Sequence, residues 1–241
     1  GCIYLDSGVM DVSDSVLFED NYARLGGAIY AIDSDVSMTE GARIVGNAGD
    51  RGGGLSGEAV TLTFEGSVEF RDNKARDRGG AIELEEASVL ISGAFRCSGN
   101  SAEDGNGGCI FLRVGDLDIG GPTSFEDNYA WDSGGAFSVR ESTVAIHDGA
   151  YFYNNGAYEG AVAFVEYGYP FLVENNVTFY YNWAEDRGGV FYLDECDPLT
   201  VRGGVLFDEN EAIDDDGAIV MSYSTAVWIT DDVTFVNNVA R

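Results

Sequence analysis

The sequence predicts an all-β fold, a parallel β-helix with three sheets and about nine coils. Three observations carry this prediction: a recurring glycine doublet, a Phe-x-x-Asn-x-Ala motif upstream of it, and a constant spacing between copies. Nine motif asparagines follow one another at intervals of 26 to 28 residues along the 241-residue chain. A constant period over a whole chain is typical of a solenoid rather than of a globular domain. Residues 1–241 are therefore predicted to form a single β-helix domain.

Composition excludes several classes of protein. The chain has 33 Gly and 3 Pro, and 42 acidic residues against 13 basic ones give a net charge of −29. No nucleic-acid partner is expected, because phosphate binding depends on Lys and Arg. No run of 18 apolar residues occurs, so no membrane-spanning helix is expected from this segment. A hydrophobic content of 45% is too high for a disordered acidic tail.

The residues within one period predict strands. Between Gly27 and Asn47, three runs alternate between apolar and polar residues, namely 28–32, 36–38 and 42–45, and turn residues end each run. A leucine-rich repeat would need Leu at fixed positions, and a calcium-binding β-roll would need a much shorter period. At the usual spacing of about 4.8 Å between strands, nine stacked coils would form a rod about 40 Å long.

The motif asparagines are expected to lie at one corner of every coil. There the side chain would tolerate a left-handed backbone, and stacked amides would hydrogen bond from coil to coil. We expect an architectural role for the whole set because a repeated feature implies a repeated role. The set comprises Asn21, Asn47, Asn73, Asn100, Asn128, Asn155, Asn182, Asn210 and Asn238.

The motif phenylalanines are expected to point inward and to stack as a column. The glycine doublet would let the chain enter the next strand through a conformation that is closed to residues with a Cβ atom. Ile44 and Cys97 replace Phe in two copies. The column comprises Phe18, Phe70, Phe125, Phe152, Phe179, Phe207 and Phe235.

The pairing of Phe-x-x-Asn with Gly-Gly-Ala-(Ile/Leu/Val), once per coil over residues 1–241, resembles the repeat of chlamydial polymorphic outer-membrane proteins and related bacterial and algal surface proteins. The resemblance implies a right-handed parallel β-helix. It also implies an extracellular or cell-surface location and a role that is commonly adhesive.

Both ends of the sequence lie inside a repeat. The first residues, Gly1 to Tyr4, match the phase of Gly80 to Ile82, and the chain stops just before the next glycine doublet would occur. We expect either a processed chain or a segment of a longer array. The alternative is a head-to-tail homopolymer, in which the last coil of one copy stacks on the first coil of the next.

The cysteines suggest at most one disulfide. Cys97 takes the Phe position and Cys109 the small-residue position beyond the same corner, so the two could face each other. The alternative is that they are small buried hydrophobic residues. Cys2 would lie about four coils from Cys109, which is too far to bridge. Asn176 begins an Asn-x-Thr sequence and is a possible N-glycosylation site.

The segment between the motif Asn and the glycine doublet is acidic in almost every coil. Stacked carboxylates repel unless a base or a cation intervenes. Two clusters without a nearby base in sequence are possible Ca²⁺ sites, since Ca²⁺ prefers oxygen ligands. The alternative is a solvated face that keeps the rod soluble. The clusters are Glu103, Asp104 and Asn106, and Asp214, Asp215 and Asp216.

We expect no enzymatic activity and no cofactor other than possible Ca²⁺. Polysaccharide lyases and hydrolases also use β-helices and are a minor alternative, but coil lengths that vary by only two residues leave no room for the long loops of a cleft. The single His147 and single Lys74 lie at a turn and beside a motif Asn.

The expected function is a structural rod that builds a surface fibre or stalk by end-to-end coil stacking. The alternative is an adhesin, because aromatic residues concentrate in the second half of the chain. By alternation from inward Phe152 and Phe179, Tyr153 and Tyr180 should point outward, with Trp183 in the corner. Exposed aromatic rings stack on sugars, so surface glycans are possible partners.

Overall fold

The computed structural model describes residues 1–214 and 217–241, and within these ranges the regular structure consists of strands alone. The strands form three parallel sheets that wind about a common core as a β-solenoid of about nine turns. The predicted all-β fold class and three-sheet solenoid are confirmed. No helix in the described part of the chain is long and apolar enough to cross a membrane.

Sheet A contains 13 strands and forms the widest face of the solenoid. Each coil pairs with the next in register, so that Ile29 lies opposite Leu55 and Ile82 opposite Ile110. The strands are Ile3–Asp6, Val9–Val12, Ile29–Met38, Leu55–Phe64, Ile82–Ile91, Ile110–Ile119, Phe137–Ile146, Ala163–Glu166, Phe171–Glu174, Phe191–Asp194, Leu199–Arg202, Ile219–Ser222 and Val227–Thr230.

Sheet B has nine strands and sheet C has eight. The strands of sheet B are Leu17–Glu19, Ala42–Val45, Val68–Arg71, Phe95–Ser98, Ser124–Glu126, Tyr151–Tyr153, Thr178–Tyr180, Leu206–Asp208 and Thr234–Val236. The strands of sheet C are Ala48–Arg51, Lys74–Arg78, Ser101–Ala102, Tyr129–Ser133, Gly156–Glu159, Trp183–Arg187, Glu211–Ala212 and Val239–Ala240.

Two details differ from the expectations. The first two runs of each central coil form one ten-residue strand of sheet A, bent at a left-handed residue such as Asp33 (φ 47°). The acidic segment between the motif Asn and the glycine doublet, which lies outside the three predicted runs, is the strand of sheet C. Its charged residues alternate with a buried Ala, such as Ala130 and Ala157, so only one face is charged. Vertical pairing between coils outweighs the low strand preference of Asp and Glu.

The left-handed residue at the corner between sheets B and C precedes the motif Asn. Asp72 (φ 56°) and Asp127 (φ 56°) take that conformation, and the following Asn73 and Asn128 are buried in the core. The expectation that the Asn itself adopts the left-handed backbone is therefore wrong. A buried amide needs full hydrogen bonding, which the stacked arrangement supplies, whereas the exposed residue before it absorbs the turn.

The two glycines of each doublet have different roles. The first is left-handed, as at Gly79 (φ 65°), which favours a residue without Cβ. A Cβ on the second, Gly80, would overlap the carbonyl oxygen of Gly108 in the next coil. One glycine therefore turns the chain, and the other allows two coils to approach closely.

Candidate functional site

The motif asparagines form one hydrogen-bonded ladder along the rod. Each amide nitrogen Nδ2 donates to Oδ1 of the Asn in the next coil at 2.8–3.1 Å, from Asn21 through Asn210. The same Oδ1 also accepts the backbone N–H of the preceding Asn, as in Asn128 to Asn155 at 3.2 Å. The remaining Nδ2–H donates to a main-chain carbonyl one coil back, as in Asn128 to Cys97 at 2.9 Å. Every internal amide is therefore satisfied, and the ladder has a direction.

The motif phenylalanines form a stack beside the ladder. Successive rings from Phe125 to Phe235 lie with centroids 4.5–5.1 Å apart and interplanar angles of 4–19°. Where Cys97 replaces Phe, the ring of Phe95 bridges Phe70 and Phe125 at 5.9 and 5.6 Å. The motif residues thus form the core, and only the outward-facing side chains are accessible to a ligand or partner.

The cysteines and the sequon lie at separate places. Cys97 and Cys109 form a disulfide with Cα atoms 6.4 Å apart. Cys2 is free and exposed, whereas Cys196 is free and buried, and burial raises the pKa of its thiol to about 11. Asn176 is exposed at a turn between sheets A and B. Glycosylation at Asn176 stays a prediction.

The first Ca²⁺ candidate lies among bases of the neighbouring coil. Glu103 lies 3.8 Å from Lys74, and Asp104 lies 3.8 Å from Arg76. Asp104 and Asn106 line two different depressions on the rod. In the described residues, no group of three or more His, Cys, Asp or Glu side chains is arranged to hold a metal. Of the second candidate, Asp214 is exposed, and Asp215 and Asp216 lie outside the described residues. Calcium binding stays a prediction.

The paired carboxylates belong to a charged surface on the first coils of sheet C. Arg51 contacts Asp77 of the next coil at 3.4 Å, one step below the pair formed by Arg76 and Asp104. Because the pairing runs across coils, bases that are about 27 residues away in sequence reach these acids. We call this surface the charged half of sheet C; it comprises Arg24, Asp50, Arg51, Lys74, Arg76, Asp77, Glu103 and Asp104.

The glycan candidates lie on two sheets. Tyr153 points outward from sheet B and stacks on Tyr180 with centroids 5.8 Å apart, while Tyr151 stacks on Tyr153 at 6.1 Å. Trp183 lies apart from them on sheet C, half-buried, with its indole stacked on Tyr129 at 5.9 Å. The structure therefore unites the two tyrosines and separates them from the tryptophan.

Sequence reasoning did not single out Tyr129 and Trp131, which share the outer face of sheet C with Tyr158 and Trp183. Trp131 is 64% exposed and Tyr158 is 44% exposed. The signal was present in the motif, because its Ala points inward and its two neighbours must point outward. We call this surface the aromatic half of sheet C; it comprises Tyr129, Trp131, Asp132, Tyr158, Trp183 and Glu185.

Comparison with protein families gives one match. Residues 15–32 match the repeat described as the Chlamydia polymorphic membrane protein repeat. In the structure this segment runs from the strand of Phe18 past Asn21 and the first glycine doublet to Ile32, so it covers both motifs of one coil. No curated protein and no solved structure matches the chain.

Fold and repeat together define the class of protein. The matched repeat and the parallel β-solenoid support a β-helix repeat protein of the polymorphic-membrane-protein type. This class fits a surface-exposed protein.

Proposed function

We propose that the protein is a non-enzymatic structural rod of an extracellular surface, and that its coils stack end to end into a fibre or stalk. The observation that carries the proposal is the directional asparagine ladder, which a further coil at either end would extend. The matched repeat supports the surface location.

The two ends of the ladder are complementary. At one end, Asn238 receives the amide of Asn210 at 2.9 Å and donates Nδ2 to the Phe207 carbonyl, so its backbone N–H and second Nδ2–H point toward a further coil. At the other end, Oδ1 of Asn21 accepts only a thiol bond from Cys2 among the described residues. Donors at one end can therefore bond to the acceptor at the other, as they do inside the rod.

The last coil also presents apolar side chains that interior coils bury. Phe235 is 44% exposed and Ile229 is 48% exposed, whereas Phe207 and Val201 one coil back are fully buried. A further coil covering such side chains would gain about 25 cal/mol per Å² of apolar surface removed from water. Stacking against Ile3, Leu5 and Met10 of the first coil would supply that cover, since these are partly buried core residues.

Electron microscopy and light scattering on concentrated protein test the proposal. We expect filaments or end-joined rods, and Phe235→Lys should abolish them. Leu90→Lys is the matched control because Leu90 is an exposed apolar residue on the side of the rod. A monodisperse monomer at high concentration would contradict the proposal.

A second candidate function, glycan adhesion, is favoured by the outward stack of Tyr151, Tyr153 and Tyr180. Rings arranged in a row on a flat sheet offer successive contacts to an extended sugar chain. Binding on a glycan array that Tyr153→Ala and Tyr180→Ala abolish, and that Tyr22→Ala leaves intact, would support adhesion. Tyr22 is a 76% exposed tyrosine outside the stack. An array without any binding would contradict it.

A further inference from the structure

We propose that the aromatic half of sheet C is a binding site for an organic ammonium ion with apolar substituents, such as a quaternary ammonium group. The site is a depression of about 330 Å³ lined by Tyr129, Trp131, Asp132, Tyr158 and Glu185. The inference does not depend on end-to-end stacking, because the site lies on the side of the rod.

The site is assembled from three consecutive coils. The register places Tyr129 beside Gly156, and Gly156 beside Trp183. The register shifts after Ala130 and again after Ala157, so each neighbouring strand carries an extra outward residue near Tyr158. These irregularities bring Asp132 and Glu185 to the rim of the same depression as the rings.

Gly156 supports one side of the site. A Cβ on Gly156 would overlap the indole of Trp183, so the glycine lets this ring lie close to the sheet. There it stacks on Tyr129 with an interplanar angle of 26°. Tyr129 is held in place by this contact, whereas Trp131 and Tyr158 remain largely exposed.

The charge around the rings is negative. Among the described residues, Asp132 and Glu185 have no ion pair, in contrast to Asp77 and Asp104 on the charged half. The negative charge of Asp186 is the main cause that raises the pKa of Tyr158. Burial, and then the charge of Glu185, raises the pKa of Tyr129. Asp186 is itself paired with Arg187 at 3.5 Å, so the unpaired negative charge beside the rings comes from Asp132 and Glu185, and a bound cation would offset it.

Aromatic faces combined with carboxylates favour an organic cation over other ligands. A cation over the face of Trp or Tyr is attracted by the ring quadrupole, and quaternary ammonium groups are bound in this way by aromatic cages. A hard metal ion would need several oxygen ligands, and only two carboxylates line the depression. A neutral sugar would stack on the rings and donate hydroxyl hydrogen bonds to the carboxylates, but unlike a cation it would gain no charge attraction.

Titration calorimetry with choline tests the proposal, and 3,3-dimethylbutan-1-ol is the matched ligand because it has the same shape without the charge. We expect saturable, millimolar binding of choline that is about tenfold tighter than that of the neutral alcohol. Ring currents should also shift the choline methyl protons upfield in NMR spectra.

Variants locate the binding on the rod. Trp131→Ala should weaken choline binding about tenfold, and Glu185→Gln severalfold. Trp228→Ala is the matched control, since Trp228 is another exposed tryptophan, at 57%, on sheet A. Unchanged circular dichroism would show that Trp131→Ala still folds.

Three results would overturn the proposal. One is the absence of choline binding in the millimolar range. The second is equal affinity for choline and the neutral alcohol, which would indicate an apolar or sugar site. The third is a choline affinity that Trp131→Ala leaves unchanged, whatever the effect of Trp228→Ala.

Discussion

The two halves of sheet C share one backbone register but carry different side chains. Lys74 lies beside Ser101, Ser101 beside Tyr129, and the row continues through Gly156 to Trp183. On the charged half, bases and acids of adjacent coils pair at 3.4–3.8 Å. On the aromatic half, rings take the same row, and the two acids that line the depression, Asp132 and Glu185, have no base within ion-pair distance among the described residues. Asp186 beside them pairs with Arg187 at 3.5 Å.

This difference shows how a solenoid separates architecture from function. Stacking fixes which side chains are vertical neighbours, so a substitution on the outer face changes a contact between coils without changing the backbone. On the charged half, Asp77, Glu103 and Asp104 pair with bases of adjacent coils. The aromatic half leaves rings and carboxylates available to a ligand or partner, which makes it the better candidate for recognition.

The largest expected loss of stability comes from the asparagine ladder and tests whether the ladder stabilises both halves of sheet C. Asn73→Ala, below the charged half, and Asn128→Ala, near the start of the aromatic half, should each lower the free energy of unfolding by about 3–5 kcal/mol. Either change removes the rung that accepts both donors of the preceding Asn and leaves them buried without a partner. Urea unfolding measures the loss, provided that the m-value, the dependence of the unfolding free energy on urea concentration, is the same in the variant and the wild type.

Thr61→Ala is the control for the ladder variants, because Thr61 is exposed on sheet A. Its effect should stay within about 0.5 kcal/mol. If either ladder variant lowers the free energy of unfolding by less than about 1 kcal/mol, the amide ladder does not stabilise both halves. Unequal losses would mean that the ladder stabilises one half more than the other.

A smaller effect is expected from Gly156→Ala on the aromatic half. The new methyl group would displace the indole of Trp183 and should lower stability by about 1–2 kcal/mol. Tryptophan emission should shift to the red as the ring enters water. Ser101→Ala, at the equivalent register on the charged side, should change neither property. An unshifted spectrum would contradict the packing of Trp183 on Tyr129.

Removing one charge from each half should change the stability of the protein in opposite directions. Arg76→Gln should lower stability by at most about 1 kcal/mol, because its pair with Asp104 is exposed and screened. Glu185→Gln should leave stability unchanged or raise it slightly, since it removes an unpaired negative charge from a chain of net charge −29. Both effects should fade in high salt. Destabilisation by Glu185→Gln would point to an unseen partner within the chain.

The fold could be predicted from the sequence because each coil repeats the same short motifs at a nearly constant spacing. The spacing of the asparagines and the alternation around Phe152 and Phe179 specify sheets, coils and the inward column. The acidic strand of sheet C was not predicted, since Asp and Glu disfavour strands on their own and only stacking between coils makes that segment extended. The bases that approach Glu103 and Asp104 lie a whole coil away, and register shifts beside Tyr158 determine which rings meet acids. The ion pairs and the ring contacts both depend on which residues of adjacent coils lie side by side. A repeat length that varies by two residues does not specify that register.

Charge pairing across coils also occurs outside sheet C, at the turn that contains His147. Its Nε2 atom lies 2.7 Å from Oδ1 of Asp118 in the preceding coil, and its Nδ1 atom lies 2.9 Å from Oδ2 of Asp148. Burial alone would lower the pKa of His147, but the hydrogen bonds and charges of Asp148 and Asp118 outweigh it and raise the pKa above 6.5. The histidine therefore holds its proton more tightly than a free imidazole does, between two carboxylates.

The pH dependence of stability follows from that shift and is the smallest effect. Because the folded pKa exceeds the unfolded value of 6.5, the folded state binds the proton more tightly, and the contribution is complete below pH 6.5. Stability should then fall as the pH rises from 6.5 through the folded pKa, and His147→Gln should remove this fall. Melting temperatures across that range measure it, with Lys74→Gln as a control that removes an exposed cation from another cross-coil pair. If the stability of His147→Gln fell by the same amount over this pH range, the pH dependence would not come from His147 and its two carboxylate partners.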